Sequence, residues 1–193
     1  MNTLFDMQNF PPDESNEWYT QAVYTDAARA VMDGIELDPA SCATADLLVR
    51  ADRYYTQEQD GLQQDWTCGS MWLNPPYGTI NGKSNMAMWA AKLMDSYTAG
   101  RVRQAILLCM ANTEALWFQP LWGYPLCFPC PRVLFHRPGG RLDHHHMGTC
   151  FVYFGENTQR FVTIFQKFGP VVTPDGVHRP VQEKPQSLWE GVA

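Results

Sequence analysis

Apolar residues recur at two different spacings along this chain, and the spacing predicts where helices and strands lie. In residues 21–33 they fall at helical spacing, after Thr20 as a cap and before Gly34 as a stop. Ile35 and Leu37 then alternate with polar neighbours, which predicts a short strand that ends at Asp38. Further helices are predicted at residues 43–49, 85–98 and 112–118.

Two continuous apolar runs, residues 71–73 and 105–110, predict strands that are buried on both faces. Other strands are predicted at residues 53–55, 126–128, 132–135, 149–154 and 160–168. A helix, then a short strand with an acid at its end, is the opening of an α/β unit. The pattern therefore predicts an α/β fold with one domain at residues 17–172, a flexible lead at 1–16 and an irregular tail at 173–193.

Composition agrees with a packed globular protein. Of the 193 residues, 45% are hydrophobic and 18% are charged. The longest apolar run is far short of the roughly 20 residues that a membrane span needs. The polar, acidic start of the chain does not have the layout of a secretory signal. We therefore expect a cytosolic protein, with no membrane partner and with six reduced cysteines.

The charge is distributed unevenly. Residues 1–66 contain thirteen acidic and three basic side chains, whereas residues 67–193 contain seven acidic and eleven basic ones. The second half is therefore mildly basic within a chain of net charge −6. This division is typical of a protein that binds a cationic small molecule with one part and phosphates with another. An acidic surface that is merely solvated is the alternative interpretation.

The chemistry is expected at the segment that follows the first apolar run, Asn74-Pro75-Pro76-Tyr77. Two prolines cannot donate hydrogen bonds to a sheet, so the strand ends at Asn74. The resulting elbow offers the Asn74 amide oxygen and the Pro75 carbonyl as acceptors, beside the Tyr77 ring. Such a site suits a planar ring with an exocyclic amine, although an ordinary Pro-Pro turn has the same sequence.

Two acids lie where a ligand could reach them. Asp38 and Asn74 both follow predicted strands, and ligands of α/β sheets bind at the carboxyl ends of strands. Asp38 could attract an ammonium or sulfonium group, or it could simply cap the next helix. Asp60, on the loop before residues 71–73, could accept from an adenine amine while Leu62 packs on the ring. A solvated loop acid is the alternative for Asp60.

These segments together resemble one family. Glu17-Trp18-Tyr19-Thr20, Leu37-Asp38-Pro39-Ala40-Ser41, Arg53-Tyr54-Tyr55-Thr56, Asp60-Gly61-Leu62 and residues 72–78 occur in the order and spacing of the phage and prophage DNA N6-adenine methyltransferase (Dam) family. The resemblance extends over about residues 16–172. It implies a Rossmann-like class I methyltransferase with a mostly parallel seven-stranded sheet and a C-terminal antiparallel hairpin. It also implies S-adenosylmethionine as methyl donor, DNA as partner and no metal ion.

The resemblance also assigns functions to residues. The catalytic elbow would be Asn74, Pro75, Pro76 and Tyr77. The donor would be bound by Trp18, Tyr19, Thr20, Asp38, Pro39, Ala40, Asp60 and Leu62. DNA would be bound by Lys83, Arg132, Phe135, Arg137 and Arg141, with Phe135 as a second ring against the target base. The glycine-rich donor motif usual in such enzymes is replaced by Asp-Pro-Ala-Ser-Cys, and Asp52 is a guess for the acid that holds the donor ribose.

Three alternatives stay open at this point. The same elbow serves methyltransferases that act on other exocyclic or amide nitrogens, in an RNA base or a protein glutamine. A zinc-containing binding module could instead use Cys127, Cys130, Cys150 and the histidines 144–146 as ligands. A DNA-binding protein that has lost its activity is the third alternative, although the intact elbow argues against it.

Overall fold

A computed structural model describes residues 17–80 and 82–178. Within these residues four helices form: α1 Ala22–Met32, α2 Ala43–Val49, α3 Asn85–Thr98 and α4 Thr158–Phe165. The strands are β1 Tyr19–Thr20, β2 Leu37–Asp38, β3 Arg53–Tyr54, β4 Met71–Leu73, β5 Thr79–Ile80, β6 Lys83–Ser84, β7 Ala105–Met110, β8 Leu126–Cys127, β9 Leu134–His136, β10 Leu142–His144, β11 Thr149–Phe154, β12 Val171–Thr173 and β13 Gly176–His178.

The main sheet has the strand order β3-β2-β4-β7-β11-β8-β12-β13. Strands β3, β2, β4 and β7 are parallel, and the remaining pairings are antiparallel. The α/β class is therefore confirmed. The prediction of a mostly parallel sheet with seven strands is wrong. The sheet has eight strands and combines parallel with antiparallel pairings. Crossover helices α2 and α3 permit the parallel pairs, whereas β11 is inserted antiparallel between β7 and β8.

The strand order changes direction between β2 and β4. From β2 the chain crosses through α2 to β3 on one side, and from β4 it crosses through α3 to β7 on the other. A crevice forms where the order of a parallel sheet reverses, outside the carboxyl ends of the two strands. Asp38 ends β2 and Asn74 follows β4, so both predicted site residues lie at this crevice.

The central strands are buried on both faces, as their continuous apolar sequences predict. Leu73 and Leu107 face one core cluster, together with Trp89 of α3. Trp72 and Leu108 face the other cluster, which α1 and α4 cover. Alternate residues of one strand thus enter two different core clusters. A shift of one residue would exchange the two sets, so this packing fixes the register of β4 and β7 and with it the position of the elbow after β4.

Two predictions of secondary structure are wrong. Residues 160–168 were expected as a strand, but α4 spans Thr158–Phe165, because Phe161, Val162 and Phe165 lie on one helical face and pack into the core. Residues 112–118 were expected as a helix and instead form turns. A short 3₁₀ helix follows at Gln119–Gly123, where Pro120 occupies the first turn, a position that needs no N–H donor.

Strands also form in two segments where none is predicted. Residues 79–80 and 83–84 form the antiparallel pair β5–β6, and Ser84 then caps α3. The sheet also continues through β12 and β13 to His178, past the start of the expected tail. The lead at 1–16 and the rest of the tail lie outside the described residues.

A second, three-stranded sheet holds the N-terminal segment. Strand β1 pairs antiparallel with β9, which pairs with β10. Thr20 is thereby placed opposite Phe135, far along the chain. In the part of the chain that the structure describes, no helix has the length and apolar character to cross a membrane.

Gly61 offers a test of this packing. A Cβ at Gly61 would lie 1.9 Å from the Pro39 carbonyl oxygen, so Gly61→Ala must push the Asp60 loop away from the end of β2. We expect a loss of about 3 kcal/mol in the free energy of unfolding, measured with denaturant. Gly123→Ala is the matched control, since its Cβ would meet nothing within 4 Å. Equal stability of the two variants would contradict this packing.

Candidate active site

The elbow after β4 is held by the side chain of Asn74. Its Nδ2 donates to the Trp18 carbonyl at 3.2 Å and to the Thr20 hydroxyl oxygen at 3.4 Å. Its Oδ1 is buried and has no hydrogen-bond partner among the described residues. Since a carbonyl can only accept, the Trp18 contact fixes which atom of the amide is the nitrogen. The orientation leaves Oδ1 as an acceptor without a donor.

Tyr77, three residues after Asn74 in the same elbow, contributes an aromatic ring. The imidazole of His145 stacks on it, with ring centroids 4.6 Å apart and an interplanar angle of 12°. The Tyr77 hydroxyl is buried without a partner in the described chain, and burial raises its pKa. Asn85 anchors the end of the elbow, since its Nδ2 donates to the Tyr77 carbonyl at 3.4 Å and its N–H to the Gly78 carbonyl at 3.1 Å.

Several contacts hold the segment that Asn74 binds, residues 17–20. The Arg137 guanidinium lies 4.1 Å from the centroid of the Trp18 ring, and its Nη1 donates to the Glu17 carbonyl at 2.7 Å. Trp18 also makes edge contacts with Phe135 and His145. Tyr19, the next residue, is buried. The structure thus brings Trp18 and Thr20 into contact with Asn74 of the elbow.

Asp38 lies at the end of β2 and is only 2% exposed. Burial raises the pKa of Asp38 to about 7, although its Oδ1 accepts the Ala40 N–H at 3.2 Å. The Ser41 hydroxyl lies beside this carboxyl and offsets part of the rise in its pKa. A buried acid at this turn favours a ligand that carries a positive charge.

The loop containing Asp60 lies against the same turn. Gly61 permits the approach, because its missing side chain would collide with the Pro39 carbonyl. Asp60 is exposed, and its Oδ1 accepts the Leu62 N–H at 3.1 Å. Lys92 of α3 fixes the loop by donating to the Leu62 and Gln64 carbonyls, each at 2.6 Å. Pro39, Asp60 and Leu62 are therefore brought together.

The expected DNA-binding cations have different surroundings. Arg132 donates from Nη1 to the His146 carbonyl at 2.9 Å, and the exposed Arg141 pairs with Asp143 at 3.0 Å. Lys83 is exposed on β6, directly after the elbow. Arg137 instead supports Glu17 and Trp18. The structure therefore gives Arg137 a structural contact that its sequence position does not predict.

Phe135 does not lie where a second base-contacting ring is needed. Its side chain is fully buried in the core cluster that α1 and α4 cover, in edge contact with Trp18, so it presents no face to a ligand. The physical reason is the strand alternation of β9, which turns Phe135 into the core and leaves Leu134 exposed. The ring that faces Tyr77 is His145.

Sequence reasoning missed His145, Asn85 as an elbow anchor, and Ser41. His145 was read only as part of a histidine run that could bind zinc. Within residues 17–80 and 82–178, no three acidic, cysteine or histidine side chains form a group that could hold a metal ion. The Cys127 thiol instead contacts the Phe165 carbonyl at 3.4 Å. Contact between Tyr77 and His145 joins distant parts of the chain, so no local pattern signals it.

The structure is an α/β fold in which a buried acid ends β2 and an acceptor-rich elbow follows β4, at the point where the strand order reverses. The family described as DNA N-6-adenine-methyltransferase (Dam) matches residues 7–122, more than half of the chain. The chain belongs to this family. Neither the curated proteins nor the solved structures include a match. The matched region includes Trp18, Asp38, Asp60 and the elbow, and it ends before Arg132.

Replacing Asp38 with Asn should reveal the cost of its burial. Because the folded pKa is raised, the folded state disfavours the carboxylate, and this cost grows as pH rises from the unfolded pKa to about 7. Asp38→Asn should therefore stabilise the protein more at pH 8 than at pH 5, by roughly 2 kcal/mol. Denaturant unfolding at both pH values measures this, with the exposed Asp95→Asn as control. An equal effect at both pH values would contradict the buried carboxyl.

Proposed function

We propose that this protein is a DNA adenine N6-methyltransferase that transfers a methyl group from S-adenosylmethionine to a flipped adenine. The observation that carries the proposal is the buried Asn74 Oδ1, an acceptor with no donor among the described residues. Burying such an atom costs about 1–3 kcal/mol. An exocyclic amine would satisfy it, and membership of the Dam family indicates which amine.

The elbow acts on the amine by position. An adenine amine is a poor nucleophile, because its lone pair is delocalised into the ring. Asn74 Oδ1 and the Pro75 carbonyl would accept its two protons and favour a pyramidal nitrogen whose lone pair points away from them. Neither Pro75 nor Pro76 has an N–H that could compete for these acceptors. Fixed dipoles of this kind need no reorganisation during the reaction, so alignment supplies much of the rate.

The other side of the crevice fits the donor. When bound, S-adenosylmethionine supplies the methyl group from a cationic sulfonium. Asp38 would balance the positive charge of the donor, and the Ser41 hydroxyl beside it would help to hold the Asp38 carboxyl in place. Asp60 and Leu62 would hold the donor adenine. Trp18, Tyr19 and Thr20, joined to Asn74, would place the donor beside the elbow.

The target base must leave the DNA stack, which costs a few kcal/mol. Stacking on an aromatic ring returns about 1–3 kcal/mol per base, and Tyr77 is the ring beside the acceptor. Because stacking only about offsets the cost of flipping, the affinity for DNA must come from contacts with its phosphates. The candidates for these contacts are Lys83, Arg132 and Arg141. Such contacts make the affinity depend on salt.

Asn74→Ala tests the proposed chemistry. It removes the acceptor, so we expect methyl transfer to DNA, followed with a radiolabelled donor, to fall at least about 100-fold. Calorimetry should show that the donor still binds. The exposed Asn157→Ala is the control and should keep full activity. Undiminished transfer by Asn74→Ala would exclude the mechanism, and label found only in RNA or protein would redirect the function to another nitrogen.

Lys83→Gln and Arg141→Gln test the DNA contacts. Each should lower the magnitude of the slope of log affinity against log salt by about 1. Arg137 is unsuitable for this test, because its loss would also disturb Trp18. Lys167→Gln removes an exposed charge beside α4 and serves as the control. If all three variants keep the wild-type slope, Lys83 and Arg141 do not contact phosphate.

A further inference from the structure

The ring of Tyr77 already carries a stacked partner. The imidazole of His145 lies nearly parallel to it, and His145 is 7% exposed. The edge of Trp18 closes the arrangement, with ring centroids 5.1 Å from His145 at an angle of 77°. The imidazole is flat and aromatic, like a nucleobase, and it occupies a position in which a base would stack on Tyr77.

The His145 ring makes a hydrogen bond within its own loop. Its Nδ1 accepts the Met147 N–H at 3.2 Å, which places the proton of the neutral ring on Nε2. Burial, together with His146 and Arg137, lowers the pKa of His145, so the ring is neutral at neutral pH. Its loop is held from outside by Arg132, whose guanidinium binds the His146 carbonyl.

We propose that His145 is a specificity-determining residue that keeps free adenine nucleotides off Tyr77 and yields to DNA. This inference rests on the function proposed above. A free adenine nucleotide has the same ring and the same amine as the target base, so the elbow alone does not distinguish the two. The distinction must come from what DNA adds, which is a row of phosphates.

Stacking energies explain the exclusion. A base gains about 1–3 kcal/mol on an aromatic ring, and a free nucleotide must give up part of this gain to displace the imidazole. DNA has a second contact available, because a phosphate can bind Arg132 in place of the His146 carbonyl. Both groups accept from the guanidinium, but a phosphate adds a full negative charge and can accept two parallel N–H bonds, so it is the stronger partner. Loss of the Arg132 contact loosens the loop, so DNA displaces His145 at a lower cost.

The test titrates the full chain with 2′-deoxyadenosine 5′-monophosphate. Saturating S-adenosylhomocysteine is present, so that the nucleotide does not bind in the donor site. We expect His145→Ala to bind the nucleotide about tenfold more tightly than the wild type. His145→Phe keeps a ring on Tyr77 and should not gain affinity. His144→Ala, an exposed neighbour on β10, should match the wild type.

A measurement on the wild type does not depend on how the variants fold. DNA should accelerate hydrogen exchange at the Met147 amide, which loses its acceptor when His145 leaves, whereas the nucleotide should not. No gain in nucleotide affinity for His145→Ala, an equal gain for His144→Ala, or unchanged Met147 exchange with DNA would each overturn the inference. Absence of methyl transfer to DNA by the wild type would instead contradict the proposed function, and the nucleotide titration is independent of transfer.

Discussion

The site depends on one hydrogen bond, from Asn74 Nδ2 to the carbonyl of Trp18. Two prolines end β4 and deprive the elbow of donors, so the backbone cannot hold it in a sheet. The amide of Asn74 takes over this function by joining the elbow to the N-terminal segment. Because the nitrogen is used for this contact, the oxygen is left without a donor among residues 17–80 and 82–178.

The same region contains several groups that a stable fold would avoid. Asn74, Tyr77 and Asn85 each hold a buried polar atom without a partner in the described chain, and Asp38 is a buried acid. Native proteins pair nearly all such groups. Their concentration around the crevice between β2 and β4 is what the proposed function requires, since functional sites give up folding energy in this way.

The sequence predicted the parts of the fold that local patterns govern. Apolar residues are continuous at 105–110 and fall at helical spacing at 85–98. The strand β7 and the helix α3 form there as expected. Residues 160–168 are rich in aromatic and β-branched side chains, which suggested a strand, yet tertiary packing of Phe161 and Phe165 selects a helix. The elbow was visible because prolines act locally. His145 was not, since only the folded chain brings it to Tyr77.

The most direct test identifies the methylated product. DNA that lacks methylated bases is incubated with the purified full-length chain and S-adenosylmethionine, then digested to nucleosides and analysed by mass spectrometry. The account predicts N6-methyldeoxyadenosine as the product that accumulates with time and enzyme. Accumulation of a different methylated nucleoside would contradict the account. The absence of any methylated nucleoside, from folded protein that binds S-adenosylmethionine, would contradict it as well.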